Sequence, residues 1–191
     1  MSQLILASAS PWRRTLLERT RIPFVVEISD FEEDLTQTLP PSELVQALAQ
    51  GKAESVAIKH TEGIVISADT LVELDGKPLG KPHTPERAKE MLMALNDRTH
   101  PIHTGWCIID ASSGRREVGV ETTRVTFRKV SEAEIDAYIA TGEALNVAGA
   151  YAIQGGASSF VKRVEGDFYN IVGLPLARIV EEIRKFGILN M

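Results

Sequence analysis

The chain of 191 residues contains a single cysteine, which excludes an intramolecular disulfide framework. Cys107 lies among Trp106, Ile108 and Ile109, and this apolar setting indicates a core thiol rather than a nucleophile. No apolar run approaches the ~18 residues that span a bilayer, so no membrane segment is predicted. Residues 4–7 are apolar but lack the charged n-region of a signal peptide. We therefore expect a cytoplasmic protein.

Several sequence motifs are also missing. There is no Walker A motif, no dinucleotide fingerprint, no His-Glu-x-x-His and no nucleophile-elbow serine, which argues against P-loop and serine-hydrolase mechanisms. His100 and His103 are three residues apart in a predicted strand, so their side chains should point to opposite faces of the sheet. A metal shared by this pair is therefore not expected.

Charge of one sign is not in large excess. The formal net charge of −5 argues against general affinity for nucleic acid or an anionic membrane. With 43% hydrophobic and 25% charged residues the composition is that of an ordinary globular protein, and we expect residues 1–191 to form one domain. A phosphate-rich ligand would have to be held by lysines and arginines gathered at one place.

The pattern of apolar residues predicts an α/β fold with a mixed sheet, because helices alternate with strands early in the chain and hairpins dominate later. Asp75-Gly76 is typical of a two-residue hairpin turn. Ser10-Pro11, Thr84-Pro85 and the pair Ser131 and Glu134 are helix-start signals. The predicted strands are 4–7, 23–28, 63–68, 102–110, 117–127 and 159–164, and the predicted helices are 11–21, 40–60, one from 84, one from 131, and 175–186.

Two charged residues occupy apolar surroundings. Asp69 ends the predicted strand 63–68, where burial of an ionised carboxylate costs several kcal/mol unless a cation compensates it. It is either a functional group or the cap of a turn at the strand end. Lys52 continues the row of Leu44 and Leu48 along a predicted helix, and its ammonium either has a partner over the core or extends from there into water.

Other charged residues favour an anion and a cation as ligands. Ser8, Arg13 and Arg14 surround a predicted helix start, where exposed N–H groups and guanidinium forks favour phosphate, although serine caps with surface arginines are the alternative. Lys81 lies in a loop and is alternatively a solvated charge. Glu33 lies in the acidic stretch 30–34, which either binds a hard cation or is a solvated loop. Together these residues suit phosphoryl-group chemistry.

Five segments of the chain form a characteristic series: Leu4-Ile-Leu-Ala-Ser-Ala-Ser-Pro, Ile66-Ser-Ala-Asp-Thr-Leu-Val, Gly80-Lys-Pro, Ala148-Gly-Ala-Tyr-Ala-Ile-Gln-Gly and Asn170-Ile-Val-Gly-Leu-Pro-Leu. With these segments the chain resembles the Maf family, the septum-formation-inhibitor proteins now regarded as nucleotide pyrophosphatases. The resemblance implies a two-lobed α/β fold related to the inosine triphosphatases, with flanking helices and the nucleotide in the cleft between the lobes.

The resemblance also implies roles for individual residues. Asp69 would be the catalytic carboxylate, and Glu33 with Asp69 would hold Mg²⁺ or Mn²⁺, with Co²⁺ as a third candidate. The triphosphate would be held by Ser8, Arg13, Lys52 and Lys81. The expected reaction converts a nucleoside triphosphate and water into the monophosphate and diphosphate, and a homodimer is implied as well.

Three further positions correspond to the family's specificity residues: Trp12, Thr70 and Gln154. Thr70 and Gln154 resemble members that favour dTTP, UTP and modified pyrimidine nucleotides, and we predict that preference. Trp12 instead resembles members that act on 7-methyl-GTP, and an indole face can stack on a methylated, cationic base. A 7-methyl-GTP pyrophosphatase is therefore one alternative, and a nucleotide-binding regulator of septum formation or cell division is another.

Overall fold

The computed structural model describes residues 2–32 and 39–188, which form a mixed β-sheet with helices on both faces. None of the helices in these two ranges has the length and apolarity that a bilayer crossing needs. The strands are β1 (Leu4–Leu6), β2 (Phe24–Val26), β3 (Ile64–Leu74), β4 (Lys77–Leu79), β5 (Thr99–Asp110), β6 (Arg116–Phe127) and β7 (Val161–Glu165). The helices are α1 (Pro11–Glu18), α2 (Pro41–Ala57), α3 (Pro85–Leu95), α4 (Glu132–Ala140), α5 (Phe168–Val172) and α6 (Leu176–Lys185).

The order of the seven strands confirms the predicted mixed sheet. The main path is β2-β1-β3-β5-β6-β7, and β4 pairs with β3 off this path. β1 is parallel to both β2 and β3, whereas the pairs from β3 to β7 are antiparallel. The hairpin between β3 and β4 turns at Asp75 and Gly76, which both have positive φ, as a tight hairpin turn requires.

The predicted helix starts are confirmed by their caps. Ser10 accepts from the Arg13 backbone N–H at 3.4 Å, Thr84 accepts from the Arg87 N–H at 3.2 Å, and Ser131 forms a capping box. Helix α1 is shorter than predicted, because the chain turns after Glu18 and the Thr20 hydroxyl donates to the Leu17 carbonyl at 2.7 Å.

Several other predicted boundaries are wrong by one to three residues, including those of β2 and β5. Helix α2 ends at Ala57 rather than at residue 60, and α6 covers Leu176–Lys185 rather than 175–186. The strand predicted over 159–164 begins at Val161, because the preceding residues form a 3₁₀ turn.

Strand β3 is longer than the sequence pattern predicts. Its ladder with β5 runs without interruption from the pair Ile64 and Asp110 to the pair Val72 and Ile102. Asp69 therefore lies inside a strand, opposite Gly105, and does not cap a turn at a strand end. The interpretation of Asp69 as a turn cap is wrong.

One face of the sheet is covered by α2. Its buried residues Ala49, Ala53 and Val56 pack against Ile5 and Val65. The contact between this helix and β5 is close enough to require glycine, since a Cβ atom at position 105 would lie 2.2 Å from the Val45 carbonyl oxygen. The backbone of α2 is thereby held directly over the centre of the sheet.

The other face carries two separate hydrophobic clusters. The α1 cluster joins α1 and α6 to β1, β3 and β5, and the α3 cluster joins α3 and α4 to β3, β5 and β6. Along β3, Ala68 belongs to the α1 cluster and Val72 to the α3 cluster, and Thr70 lies between them. The predicted two-lobed architecture thus takes the form of two cores that share their central strands and are separated by a polar layer.

Candidate functional site

The edge of β3 that faces β1 is interrupted. β1 pairs with Ile64–Ile66 and β4 pairs with Val72–Leu74, so no strand of the described ranges pairs with residues 67–71 on that edge. We call this interval the β3 gap. The chain that leaves β1 reaches Ser8 at one end of the gap, and the chain that leaves β4 reaches Lys81 beyond the other. The topology thus places the residues singled out in the sequence around one opening.

Arg13 is fixed at the start of α1, on the face of the two clusters. Its Nε donates to the Gly173 carbonyl at 2.9 Å, its Nη1 to the Ser8 hydroxyl at 3.3 Å and its Nη2 to the Thr70 hydroxyl at 3.2 Å. These contacts bring Ser8 and Arg13 together, as predicted for an anion site. The exposed N–H groups and the positive dipole end of a helix favour a negative charge at this position.

Asp69 lies on the other face, below α2. The Lys52 ammonium makes an ion pair with the Asp69 carboxylate, and the two side chains are only 12% and 11% exposed. Ser67 donates to the Ala49 carbonyl on the same face and holds this turn of the helix close to β3. The lysine compensates the charge of the buried carboxylate, which accounts for an aspartate in an apolar strand.

Asp69 and Thr70 are consecutive residues of a strand, so their side chains lie on opposite faces of the sheet. In the middle of a sheet, groups on opposite faces are separated by the backbone. At the β3 gap the edge is open, and a ligand that occupies the edge can contact groups from both faces. The gap therefore combines a carboxylate and a lysine on one face with a guanidinium and hydroxyls on the other.

Lys81 and Gln154 lie in exposed loops that are linked to each other. The Gly149 N–H donates to the Gly80 carbonyl at 3.0 Å, which joins the loop after β4 to the segment that leads to Gln154. Within residues 2–32 and 39–188, neither the Lys81 nor the Gln154 side chain makes a hydrogen bond or ion pair. The structure does not bring these two side chains into contact with Asp69 or Arg13.

The two remaining predicted site residues are Trp12 and Glu33. Trp12 follows the first residue of α1 and is 42% exposed, so its indole is accessible beside Arg13. Glu33 lies outside the described residues. No group of three or more histidines, cysteines, aspartates or glutamates in the described ranges is arranged to hold a metal ion.

The segment that carries Gln154 is fixed by buried polar groups. The Tyr138 hydroxyl accepts from the Ala152 N–H at 3.1 Å, and the Tyr151 hydroxyl lies 2.8 Å from His100 Nε2. Burial lowers the pKa of His100 to about 4 and raises the pKa of Tyr151 well above its ordinary value. Neither group is charged near neutral pH, so the contact between them is a neutral hydrogen bond.

The predictions for His103 and Cys107 are confirmed. His103 lies on the opposite face from His100 and bonds to Glu73 at 2.8 Å and to Thr122 at 2.9 Å. Cys107 is fully buried, and burial raises the pKa of its thiol to about 12, as expected for an unreactive core residue.

Two residues beside Arg13 were missed by the sequence analysis. Thr104 is fully buried in β5, and its hydroxyl lies 2.9 Å from that of Thr70 and donates to the Asn170 carbonyl at 2.9 Å. Asn170 is also fully buried, at the centre of α5. The available signals were the Thr104-Gly105 pair within an apolar strand and an asparagine shortly before Gly173-Leu174-Pro175.

The chain is thus an α/β protein with Arg13, Lys52 and Asp69 gathered at an opening in the sheet edge. The family model described as Maf-like protein matches residues 3–186, and the chain belongs to this family. It is similar to the "dTTP/UTP pyrophosphatase" of Moorella thermoacetica, with 46% identity over 98% of this chain and 97% of the relative. The protein of the same name from Bacillus cytotoxicus is 46% identical over 97% of this chain and 96% of the relative.

A solved structure shares the fold. A HAM1 protein from Coxiella burnetii superposes with a TM-score of 0.52 at 15% identity, covering 97% of this chain and 100% of that one. At this level of identity the likeness concerns the architecture alone.

Proposed function

We propose that the chain hydrolyses nucleoside triphosphates to monophosphates and diphosphate, and that it favours dTTP and UTP. The observation that carries the proposal is the buried pair of Asp69 and Lys52 at the β3 gap, with Arg13 at the same opening. Relatives at 43–46% identity over nearly the whole chain are named dTTP/UTP pyrophosphatases, which supports the same reaction and the same substrates.

The phosphate chain is assigned to the cations around the gap. Arg13 and Ser8 at the start of α1 offer N–H and O–H donors, and guanidinium forks match the geometry of phosphate oxygens. Lys52 adds positive charge from α2, and Lys81 adds it from the loop after β4. In this class of reaction the protein chiefly positions the phosphate chain and neutralises charge, which is what these four residues supply.

Asp69 is assigned as the general base. Its carboxylate accepts a proton from water, whose oxygen attacks the α-phosphorus. The bond from the α-phosphorus to the oxygen that bridges to the β-phosphorus breaks, and diphosphate leaves with the bonding electrons. Lys52 holds the carboxylate in place through the ion pair, and its ammonium can also bind the diphosphate as it leaves.

A divalent cation, Mg²⁺ or Mn²⁺ and as a third candidate Co²⁺, fits the residues of the gap. Mg²⁺ in phosphate sites is usually held by one or two carboxylates together with the substrate's own oxygens, so the single carboxylate of Asp69 is a suitable ligand. Glu33 is proposed as the second carboxylate. When bound, the cation would neutralise charge on the phosphates.

The choice of base is assigned to Gln154 and Thr70, with Trp12 available for stacking. An exposed amide on an anchored loop can pair with a pyrimidine edge, and a mismatched base leaves such a group unsatisfied. Stacking on Trp12 is more tolerant, because every base has a π-face. The exposed indole is also the observation that favours 7-methyl-GTP as the alternative substrate.

We further propose the cytoplasm as location and a homodimer as assembly.

The test is a panel of dTTP, UTP and 7-methyl-GTP incubated with Mg²⁺ or Mn²⁺, with diphosphate and orthophosphate measured separately. We expect monophosphate and diphosphate in equal amounts, loss of turnover with EDTA, and the highest kcat/KM for dTTP and UTP. Gln154→Glu should reduce pyrimidine turnover most. Release of orthophosphate would place the attack at the γ-phosphorus and contradict the mechanism. A 7-methyl-GTP preference that disappears in Trp12→Ala would assign specificity to the indole.

A further inference from the structure

We propose that Thr104 is a positioning residue, which fixes Arg13 for phosphate binding by acting through Thr70. Thr104 is fully buried and lies behind Thr70, so it does not touch the ligand itself. The proposal rests on the proposed function in one respect, namely that Arg13 holds the phosphate chain of the substrate.

The direction of the hydrogen bonds follows from the chemistry of the groups. A backbone carbonyl can only accept, so the hydroxyl hydrogen of Thr104 is donated to the Asn170 oxygen at 2.9 Å. Thr104 can then only accept at its 2.9 Å contact with Thr70, and Thr70 must donate its own hydrogen there. The Thr70 oxygen in turn accepts from Arg13 Nη2 at 3.2 Å.

Together with the turn from Asn170 to Gly173, these hydrogen bonds form a closed ring. The Asn170 carbonyl also accepts from the Gly173 N–H at 3.1 Å, and the Gly173 carbonyl accepts from Arg13 Nε at 2.9 Å. Within this ring Arg13 is held at two of its guanidinium nitrogens, directly by Gly173 and indirectly by Asn170 through Thr104 and Thr70. A closed ring of this kind restrains the side chain more than either contact alone.

The anchor of the ring is itself rigid. Asn170 is fully buried, and its Nδ2 donates to the Ile102 carbonyl at 3.2 Å and to the Thr123 hydroxyl at 2.9 Å. The turn from Asn170 to Gly173 is thus tied to β5 and β6. A guanidinium fixed to the central strands binds a phosphate chain with less loss of side-chain freedom.

The ring also changes the role expected of Thr70. Its only hydroxyl hydrogen is committed to Thr104, so while the ring is intact Thr70 can contact a nucleobase only as an acceptor. Thr70 therefore also acts on the phosphate chain, through Arg13.

The experiment measures binding of inorganic tripolyphosphate and of α,β-methylene-UTP, both with Mg²⁺, by calorimetry, alongside steady-state kinetics. Thr104→Val removes the hydroxyl at constant volume and should weaken both ligands about tenfold, the order expected for one buried hydrogen bond, with KM raised more than kcat is lowered. Thr104→Ser keeps the hydroxyl and should restore binding.

Tyr151→Phe is the matched control. Tyr151 is also buried and its hydroxyl lies 2.8 Å from His100 Nε2, but among the described residues it makes no hydrogen bond to Thr70, Thr104, Asn170 or Arg13. It should lower the melting temperature as Thr104→Val does and leave tripolyphosphate binding at the wild-type level. If Thr104→Val does not fold, Thr70→Val opens the same ring at a half-buried position and should weaken binding by a similar factor.

A double-mutant cycle completes the test. Because Thr70 and Thr104 act along one path, the double valine variant should bind as weakly as Thr70→Val alone. Additive effects, normal binding by Thr104→Val, or equal weakening of tripolyphosphate binding by Tyr151→Phe would each overturn the proposal. If the wild-type protein binds α,β-methylene-UTP but releases no diphosphate from UTP or dTTP, the proposed function is contradicted. The ring can still be tested by ligand binding in that case. A wild-type protein that binds neither ligand would overturn both.

Discussion

The two faces of the central strands carry different polar chemistry. On the face below α2 the ionisable side chains include the ion pair of Asp69 with Lys52 and the hydrogen-bonded pair of Glu73 with His103, and each of these four keeps between 9% and 24% exposure. On the opposite face the fully buried residues His100, Thr104 and Asn170 form neutral hydrogen bonds, and the charge of the half-buried Arg13 lies at the edge of that network.

The difference follows from the cost of burial. An ionised group loses far more hydration free energy on burial than a hydroxyl or amide, so the charged side chains at the central strands keep some solvent contact and the fully buried polar groups there are neutral. A partly solvated charge can exchange protons and ions, whereas a fully buried neutral network can only hold its neighbours in place. We therefore expect chemistry on the α2 face and positioning on the other, and three measurements test that division.

The largest effect is expected for Asp69→Asn, which keeps the volume of the side chain and removes its charge. Loss of a general base lowers kcat by roughly 10²–10⁴-fold, while the fold should be retained because Lys52 can still donate to the amide oxygen. Diphosphate release measures the change. The control is Glu73→Gln, four residues further along β3 and on the same face, which should turn over at close to the wild-type rate. Retention of more than about a tenth of the activity by Asp69→Asn would remove the carboxylate from the mechanism.

The second effect concerns His100 on the neutral face and depends on pH. Its pKa of about 4 in the folded chain lies below the ordinary value of 6.5. As the pH falls, the imidazole is therefore protonated in the unfolded chain at a higher pH than in the folded chain. Stability should therefore decrease from about pH 6.5 down to about pH 4, by roughly 3 kcal/mol in total from this group.

The measurement is urea unfolding between pH 7 and pH 4.5. His100→Gln should show a shallower loss of stability on acidification, because glutamine does not titrate. Tyr151→Phe should keep the steep loss, since burial rather than the phenol is the main cause of the shift. Equal slopes in wild type and His100→Gln would assign the acid sensitivity to other groups.

The smallest of the three effects is expected for Lys52→Met, which removes the ammonium and leaves the Asp69 carboxylate without this partner. Because both side chains retain some exposure, we expect a loss of about 2 kcal/mol, below the usual range for a fully buried pair. Urea unfolding at pH 7 measures it. The double variant with Asp69→Asn should regain much of the loss. No loss in the single variant would mean that another group compensates Asp69.

The sequence contained enough information for the fold class and for most element boundaries. Apolar periodicity located the core faces, and local side-chain caps such as Ser10 and Thr84 marked the helix starts, because both signals act within a few residues. The continuation of β3 past Asp69 could not be predicted in this way, since it depends on pairing with β5 more than thirty residues away.

The residues of the candidate site also fall into two groups, those marked by their local sequence and those whose role depends on distant contacts. Asp69, Lys52, Ser8 and Arg13 could be singled out because each is unusual in its own neighbourhood. Thr104 and Asn170 are ordinary residues locally, and their role depends on a contact between residues 66 positions apart in the chain. The contact of Arg13 with Gly173 joins residues 160 positions apart. Only the folded chain shows that they form one ring.

The β3 gap also bears on which molecules are kept out. An exposed strand edge ordinarily recruits other extended chains, and proteins protect such edges by shortening or covering them. Here β1 and β4 close both ends of the opening, and the five residues between them span about 17 Å. A foreign polypeptide that approached along the edge would collide with a native strand at either end before it could form a stable ladder. A compact ligand meets no such barrier, so the sheet can keep unsatisfied backbone at its centre without becoming a template for aggregation.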